Sequence, residues 1–178
     1  MVVRKVDVDV SLVKQRPGRT QQVELTTTPE SPLHWQGEKL TFSQPLVVNL
    51  TLESQKGGSI SVRGDLRAVV RTVCSRCLQP IDYPVEADLE GTFYLEGRSP
   101  EDQEEEFTGQ FYSGDTLQLD GLIRESIYLS LPMQFLCSQE CKGLCSYCGK
   151  RADEGCNCEH QQVDPRFEVL KQLLKDQD

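Results

Sequence analysis

Eight cysteines constrain this chain more than any other feature, because they fall into four close pairs: Cys74 and Cys77, Cys137 and Cys141, Cys145 and Cys148, and Cys156 and Cys158. A two-residue spacer in a tight turn lets two thiolates converge on one tetrahedral ion, so CSRC and CSYC have the spacing zinc uses. Gly149, directly after Cys148, fits such a knuckle, where backbone passes close to sulfur and a positive φ is needed. The N-terminus MVVRKVD has neither an apolar run nor a small-residue cleavage site, and no stretch reads as a membrane span. The expected setting is therefore a reducing cytoplasm, where thiols bind metal in preference to forming disulfides. With 178 residues, 37% of them hydrophobic, the chain can bury a core without covalent staples.

The hydrophobic pattern predicts an α+β fold: an antiparallel sheet or partly open barrel packed by one helix, followed by a small zinc-bound module and a terminal helix. Residues 1–95 read as β structure. Pro45–Glu53 and Ser59–Val73 are strand-like runs separated by the turn residues Ser54 to Gly58, which is a hairpin signal. Val62, Leu66, Ala68 and Val70 alternate with Arg63, Asp65, Arg67 and Arg71, as on a half-buried strand. Val85, Ala87, Leu89, Phe93 and Leu95 repeat the pattern. Gly97 to Gly114 reads as an acidic loop. Leu119, Leu122, Ile123 and Ile127 recur at helical spacing over 119–131, with Asp120 as a candidate cap and Pro132 as the stop. The expected organisation is a β-rich domain over 1–135, a cysteine module over 136–160 and a helix over 161–178 opened by Asp164-Pro165.

Eight thiolates suffice for two zinc ions, with one ion and leftover thiols as the alternative. The simplest partition places Cys145, Cys148, Cys156 and Cys158 at a local site, and Cys74, Cys77, Cys137 and Cys141 at a second that ties the sheet to the segment after the helix. The one-residue spacer of Cys156-Asn157-Cys158 is the awkward part, and His160 or Cys141 is the substitute ligand there. Structural zinc stabilises small peptides by roughly 10–16 kcal/mol, and the stretch 136–160 has almost no apolar core of its own. Four protein ligands leave no place for an activated water, so the sites read as structural. An iron–sulfur cluster uses the same donors and would colour the protein.

The runs CSRCL, GDTLQLDGLIRESIYLSLPM, CSQECKGLCSYCGK with its later CNC, and DPRFEVLKQLL together resemble the bacterial YceD proteins, the large ribosomal RNA subunit accumulation family. That resemblance covers most of the chain, and it implies a non-enzymatic role in accumulation of large-subunit (23S) ribosomal RNA through ribosome assembly. The chain departs from the family's usual CPxCGxNLN tail, since Gly149 is followed by Lys150-Arg151-Ala152-Asp153.

Two surfaces suggest how it would meet a partner. Arg63, Arg67 and Arg71 on one strand face, with Arg76 in the first knuckle, are candidate RNA contacts. Lys142, Lys150 and Arg151 surround the other pairs. The overall charge of −9 argues against RNA wrapping the whole surface. From Glu96 to Asp120 eight acids stand against Arg98 alone, a tract of −7 suited to a basic ribosomal protein or assembly factor. Catalysis finds little footing: the histidines are His34 and His160, neither beside a nucleophile motif, and no small-molecule substrate suggests itself. The reading from a different class is a zinc–thiolate redox sensor or a general protein-interaction adaptor.

Overall fold

A computed structural model describes residues 6–29, 32–97, 110–152, 155, 156 and 158. Nine strands and one helix follow in order: β1 (Asp7–Asp9), β2 (Thr20–Thr27), β3 (Leu33–Trp35), β4 (Glu38–Phe42), β5 (Leu46–Ser54), β6 (Ile60–Val73), β7 (Pro80–Leu95), β8 (Gln110–Tyr112), β9 (Thr116–Gln118) and α1 (Asp120–Ser130). The fold is α+β, and of the two expected sheet forms the open one is realised: seven strands form one sheet that does not close into a barrel, and β1 pairs with β9 separately.

The spine is β6, fourteen residues long, whose side chains alternate between core and solvent from Leu66 onward. One of its edges pairs antiparallel with β7 from Ile60↔Phe93 to Val73↔Pro80. Its other edge is shared, first by β5 (Ser54↔Ile60 to Val47↔Arg67) and then by β4 (Phe42↔Val70, Thr41↔Arg71). This register stacks buried residues across three strands: Val48, Leu66 and Ala87 form one row, and Leu52 and Val62 begin another that ends at Gly91. Gly64 sits between Leu50 and Leu89, and a Cβ there would lie 1.9 Å from the Asn49 carbonyl oxygen and 2.9 Å from the Leu50 side chain. Glycine is thus required by close approach of the neighbouring backbone.

Helix α1 covers the inner face, burying Leu122, Ile123, Ser126 and Ile127. Leu122 rests where a side chain on Gly91 of β7 would be, 3.1 Å from that glycine's missing Cβ. Asp120 does not cap the helix as its position suggested. No side chain caps this N-terminus, and both Asp120 carboxylate oxygens instead accept from the Val6 amide at 3.2 and 3.3 Å. The acid therefore pins the N-terminal strand, which continues into the Leu119 amide bonded to the Val6 carbonyl at 3.0 Å. At the far end Tyr128 stacks on Trp35 with centroids 6.0 Å apart, and its hydroxyl accepts from the His34 amide.

The acidic stretch is partly corrected as well. Residues 110–112 are not loop but β8, which runs parallel to Phe93–Leu95 of β7, while 98–109 lie outside the described residues, as do His160 and the expected helix over 161–178. Among the described residues no helix is long and apolar enough to cross a membrane.

The contact geometry at Gly64 yields a direct test. Gly64→Ala is expected to lower unfolding stability by about 1–3 kcal/mol, the usual cost of overpacking, seen as a lower urea midpoint with an unchanged slope.

Candidate metal centres

The β6–β7 hairpin closes on Cys74-Ser75-Arg76-Cys77-Leu78-Gln79, so the first cysteine pair stands at the tip, as the strand pattern anticipated. Two hydrogen bonds shape this turn: the Cys74 amide donates to the Gln79 carbonyl (2.8 Å) and the Leu78 amide to the Cys74 carbonyl (2.9 Å). The third pair is built the same way. The Cys145 amide donates to the Lys150 carbonyl (2.7 Å), and the Gly149 amide donates to the Cys145 carbonyl (2.9 Å). The two CxxC segments are therefore one knuckle used twice, and the residue after the second cysteine is left-handed in both, at φ 60° for Leu78 and 69° for Gly149. Glycine tolerates that conformation, whereas leucine is strained in it.

The knuckles gather the remaining cysteines. Sulfurs of Cys74, Cys77, Cys137 and Cys141 form one group and those of Cys145, Cys148, Cys156 and Cys158 a second, with all sulfurs of a group within 4.8 Å of one another. Measured separations are 3.8 Å for Cys74–Cys141, 3.7 Å for Cys77–Cys137 and 3.5 Å for Cys148–Cys156. Four sulfurs placed 2.3 Å from a tetrahedral zinc stand about 3.8 Å apart, so the donor sets fit such an ion. They are far beyond disulfide length, about 2.0 Å. All eight cysteines are brought together in the partition expected from spacing, and the one-residue spacer of Cys156 and Cys158 does not prevent it.

The first group is the deeper. Cys74, Cys77 and Cys141 are buried and Leu136 packs against them, whereas in the second group only Cys145 is buried. It also spans the fold, since 60 residues separate Cys77 from Cys137. Auxiliary contacts hold the junction: the Ser75 amide donates to the Phe135 carbonyl at 2.8 Å, and Phe135 meets Tyr83 edge-on. Arg76 completes the clamp by donating from its guanidinium to the carbonyls of Gln139 (3.2 Å) and Cys141 (2.9 Å). Gly143 leaves room for the close approach of the two segments, as a Cβ there would sit 3.1 Å from the Arg76 carbonyl oxygen.

Protonation within each group is uneven. Burial opposes ionisation of Cys74, yet the amides of Cys77, Cys137 and Arg76 point at its sulfur and bring it down to about 6. Cys145 is likewise lowered to about 6, chiefly by the amides of Cys148 and Tyr147, the latter 3.4 Å from its sulfur. Cys137 is pushed up to about 12, first by Cys141 and then by burial, and Cys158 to about 12, first by Cys156 and then by Cys148. Four crowded thiols cannot all ionise unless a cation shares the space.

The other candidate contacts fare differently. Arg63, Arg67 and Arg71 are exposed, but each stands opposite a carboxylate on β7. Arg63 faces Glu90 at 3.3 Å, Arg67 faces Glu86 at 4.0 Å, and Arg71 makes two bonds to Asp82 at 2.9 and 3.0 Å. Asp65 and Asp88 are paired on the same face, so three arginines there meet five carboxylates. Sequence alternation located this face but could not show its charge balance, which depends on the strand register. With Arg76 bound to carbonyls, all four arginines have partners within the chain.

An open antiparallel sheet bearing one helix, with two four-cysteine groups at and beyond its hairpin tip, defines a cysteine-cluster α+β protein whose sites suit a structural metal. The chain belongs to the family described as Large ribosomal RNA subunit accumulation protein YceD, whose profile matches residues 62–174 and so takes in both cysteine groups. It is 31% identical over 176 residues to an uncharacterized protein of Mycobacterium tuberculosis, covering 97% of this chain and 83% of the relative. A Mycobacterium leprae protein is 24% identical over 174 residues, covering 97% and 79%. YlbN of Bacillus subtilis is 32% identical over 110 residues, covering 59% of this chain and 60% of that protein. No solved structure matches.

Because Leu78 is 61% exposed, replacing it sacrifices little burial. Leu78→Gly should relieve the left-handed strain and raise stability by about 1 kcal/mol, with metal content unchanged. Leu78→Val, β-branched in the same conformation, should lower it in the same melting assay.

Proposed function

We propose that the chain is a zinc-binding factor of large ribosomal subunit assembly, which supports accumulation of 23S ribosomal RNA by binding rather than by catalysis. The observation carrying this reading is that the family match takes in two thiolate groups whose sulfur spacings suit tetrahedral zinc. In the first group the ion would be held by Cys74, Cys77, Cys137 and Cys141, and in the second by Cys145, Cys148, Cys156 and Cys158. Bound there, zinc supplies cross-linking and charge neutralisation, and four protein sulfurs leave no coordination position for substrate. The two ions have different tasks on this reading. The first fastens the hairpin tip to the segment after α1, and the second folds the local turn from Cys145 to Cys158.

The chain's charge also bears on how it acts. At −9, with its longest exposed arginine row matched by acids, it is poorly suited to coating RNA. A component of the precursor particle other than a long stretch of naked RNA is the better partner, and the cytoplasm, where such particles are built, is the expected location. A zinc–thiolate redox sensor is the second reading, favoured by the exposure of Cys148.

Single substitutions separate the two sites. Cys148→Ser should leave about one zinc per chain and a cooperative melt close to that of the parent, whereas Cys74→Ser should lose zinc and lower the melting temperature by ten degrees or more. In cell extracts the parent should cosediment with large-subunit precursors, and Cys74→Ser should remain at the top of the gradient. Equal effects of the two substitutions on melting would refute the division of labour, and absence of the parent from precursor fractions would refute the assembly role.

A further inference from the structure

Sheet edges are normally blunted against unwanted pairing, by proline, lysine, bulges or shortness. The long free stretch of β7 follows that rule, because β8 joins it only at Phe93–Leu95 and the remainder carries Pro80 and Pro84. β3 and β8 are three residues each. β2 breaks the rule: its eight residues, TQQVELTT, contain no proline, lysine or arginine, and among the described residues they pair with β5 alone. The Ser54 amide donates to the Arg19 carbonyl, which sets the ladder so that odd-numbered residues of β2 bond inward. Backbone groups of Thr20, Gln22, Glu24 and Thr26 then face outward, and among the described residues no backbone bond is made to them.

Both faces of this edge look unfinished. On the inner face Val23 and Leu25 are only half-buried, while Leu46, Val48, Leu50 and Leu52, their counterparts on β5, are buried. On the outer face a hollow of about 520 Å³ opens beside β2, lined by Gln22, Glu24, Asn49, Thr51, Gly64 and Asp65 among others. Its charged groups are both acids, and the row that crosses it, Glu24, Asn49, Asp65 and Asp88, contains no base. A strand laid beside β2 would place alternate side chains against Val23 and Leu25 on one face and over Glu24 and the hollow on the other.

We propose that β2 is a docking edge for an extended, basic segment of a partner protein, added as a further strand with apolar residues inward and Lys or Arg over Glu24. The assembly reading supplies only the setting in which such a partner is met. The geometry uses the β body alone and stands whether or not the cysteine groups hold zinc.

The probe is a fluorescent, end-capped peptide as long as β2, alternating Lys with Val, titrated into the purified full-length chain and followed by anisotropy. Saturable binding is expected, weakened at least tenfold by Glu24→Lys and by Gln22→Pro, which removes an outward amide from an edge position that tolerates proline. Of two peptide versions N-methylated on alternate residues, only the one blocked on the pairing side should fail. Glu24 is exposed, so Glu24→Lys is expected to keep the parent's circular dichroism and melting. Equal binding of both methylated peptides, or no loss with Glu24→Lys, would overturn the proposal. So would displacement of the peptide by oligouridine, which would make the ligand RNA, or a dimer dispersed by Glu24→Lys in sedimentation, which would make the occupant a second copy. The readout depends on neither ribosome nor metal, so its failure is distinct from failure of the assembly role.

Discussion

Four thiols from opposite ends of the fold share a space in which every pair of sulfurs is within 4.8 Å, and the rest of the architecture is arranged around that crowding. Two come from the tip of the longest hairpin and two from the segment that leaves the helix. Three of the four are buried, so the charge that ionisation creates has little water to stabilise it. A tetrahedral divalent cation held there would convert this repulsive cluster into a bond between distant parts of the chain. The neighbouring contacts link the same two segments: the Ser75 amide on Phe135, the Phe135 ring on Tyr83 and the Arg76 guanidinium on two carbonyls. Anchored beyond its C-terminus in this way, and at its start by Asp120 on Val6, α1 is held across the sheet with Leu122 over Gly91.

Arginines that seemed free in the sequence are spent on internal partners, three on β7 carboxylates and one on the cysteine segment. A tetrathiolate zinc site would carry a formal charge of −2, and Arg76, Lys142, Lys150 and Arg151 lie close in sequence to the cysteine pairs.

Much of the fold was legible in the amino-acid sequence wherever a side-chain pattern has a single physical meaning. Alternation in β6 and β7 gave their buried faces, the turn residues Ser54 to Gly58 gave the β5–β6 hairpin, and CxxC between two strands gave a tip bearing sulfur. Spacing alone also led to the correct grouping of all eight cysteines. Besides β8, three features escaped. β2 has only Val23 and Leu25 as apolar residues on an otherwise polar strand, because an edge strand needs little burial, so its pattern was faint. Asp120 has the right identity for a cap, but a long-range amide outcompeted the local one, and local rules cannot see Val6. The left-handed Leu78 was hidden because the knuckle's hydrogen bonds, not the residue's own preference, impose its conformation.

The central claim is that eight sulfurs bind two ions, four to each. X-ray absorption at the zinc edge, on reduced full-length protein purified without chelator or added metal and quantified for metal per chain, tests it most directly. Two zinc ions per chain, each with four sulfur neighbours near 2.3 Å, is the expected result. A chain that is fully folded and metal-free, or zinc with nitrogen or oxygen in its first coordination sphere, would contradict it.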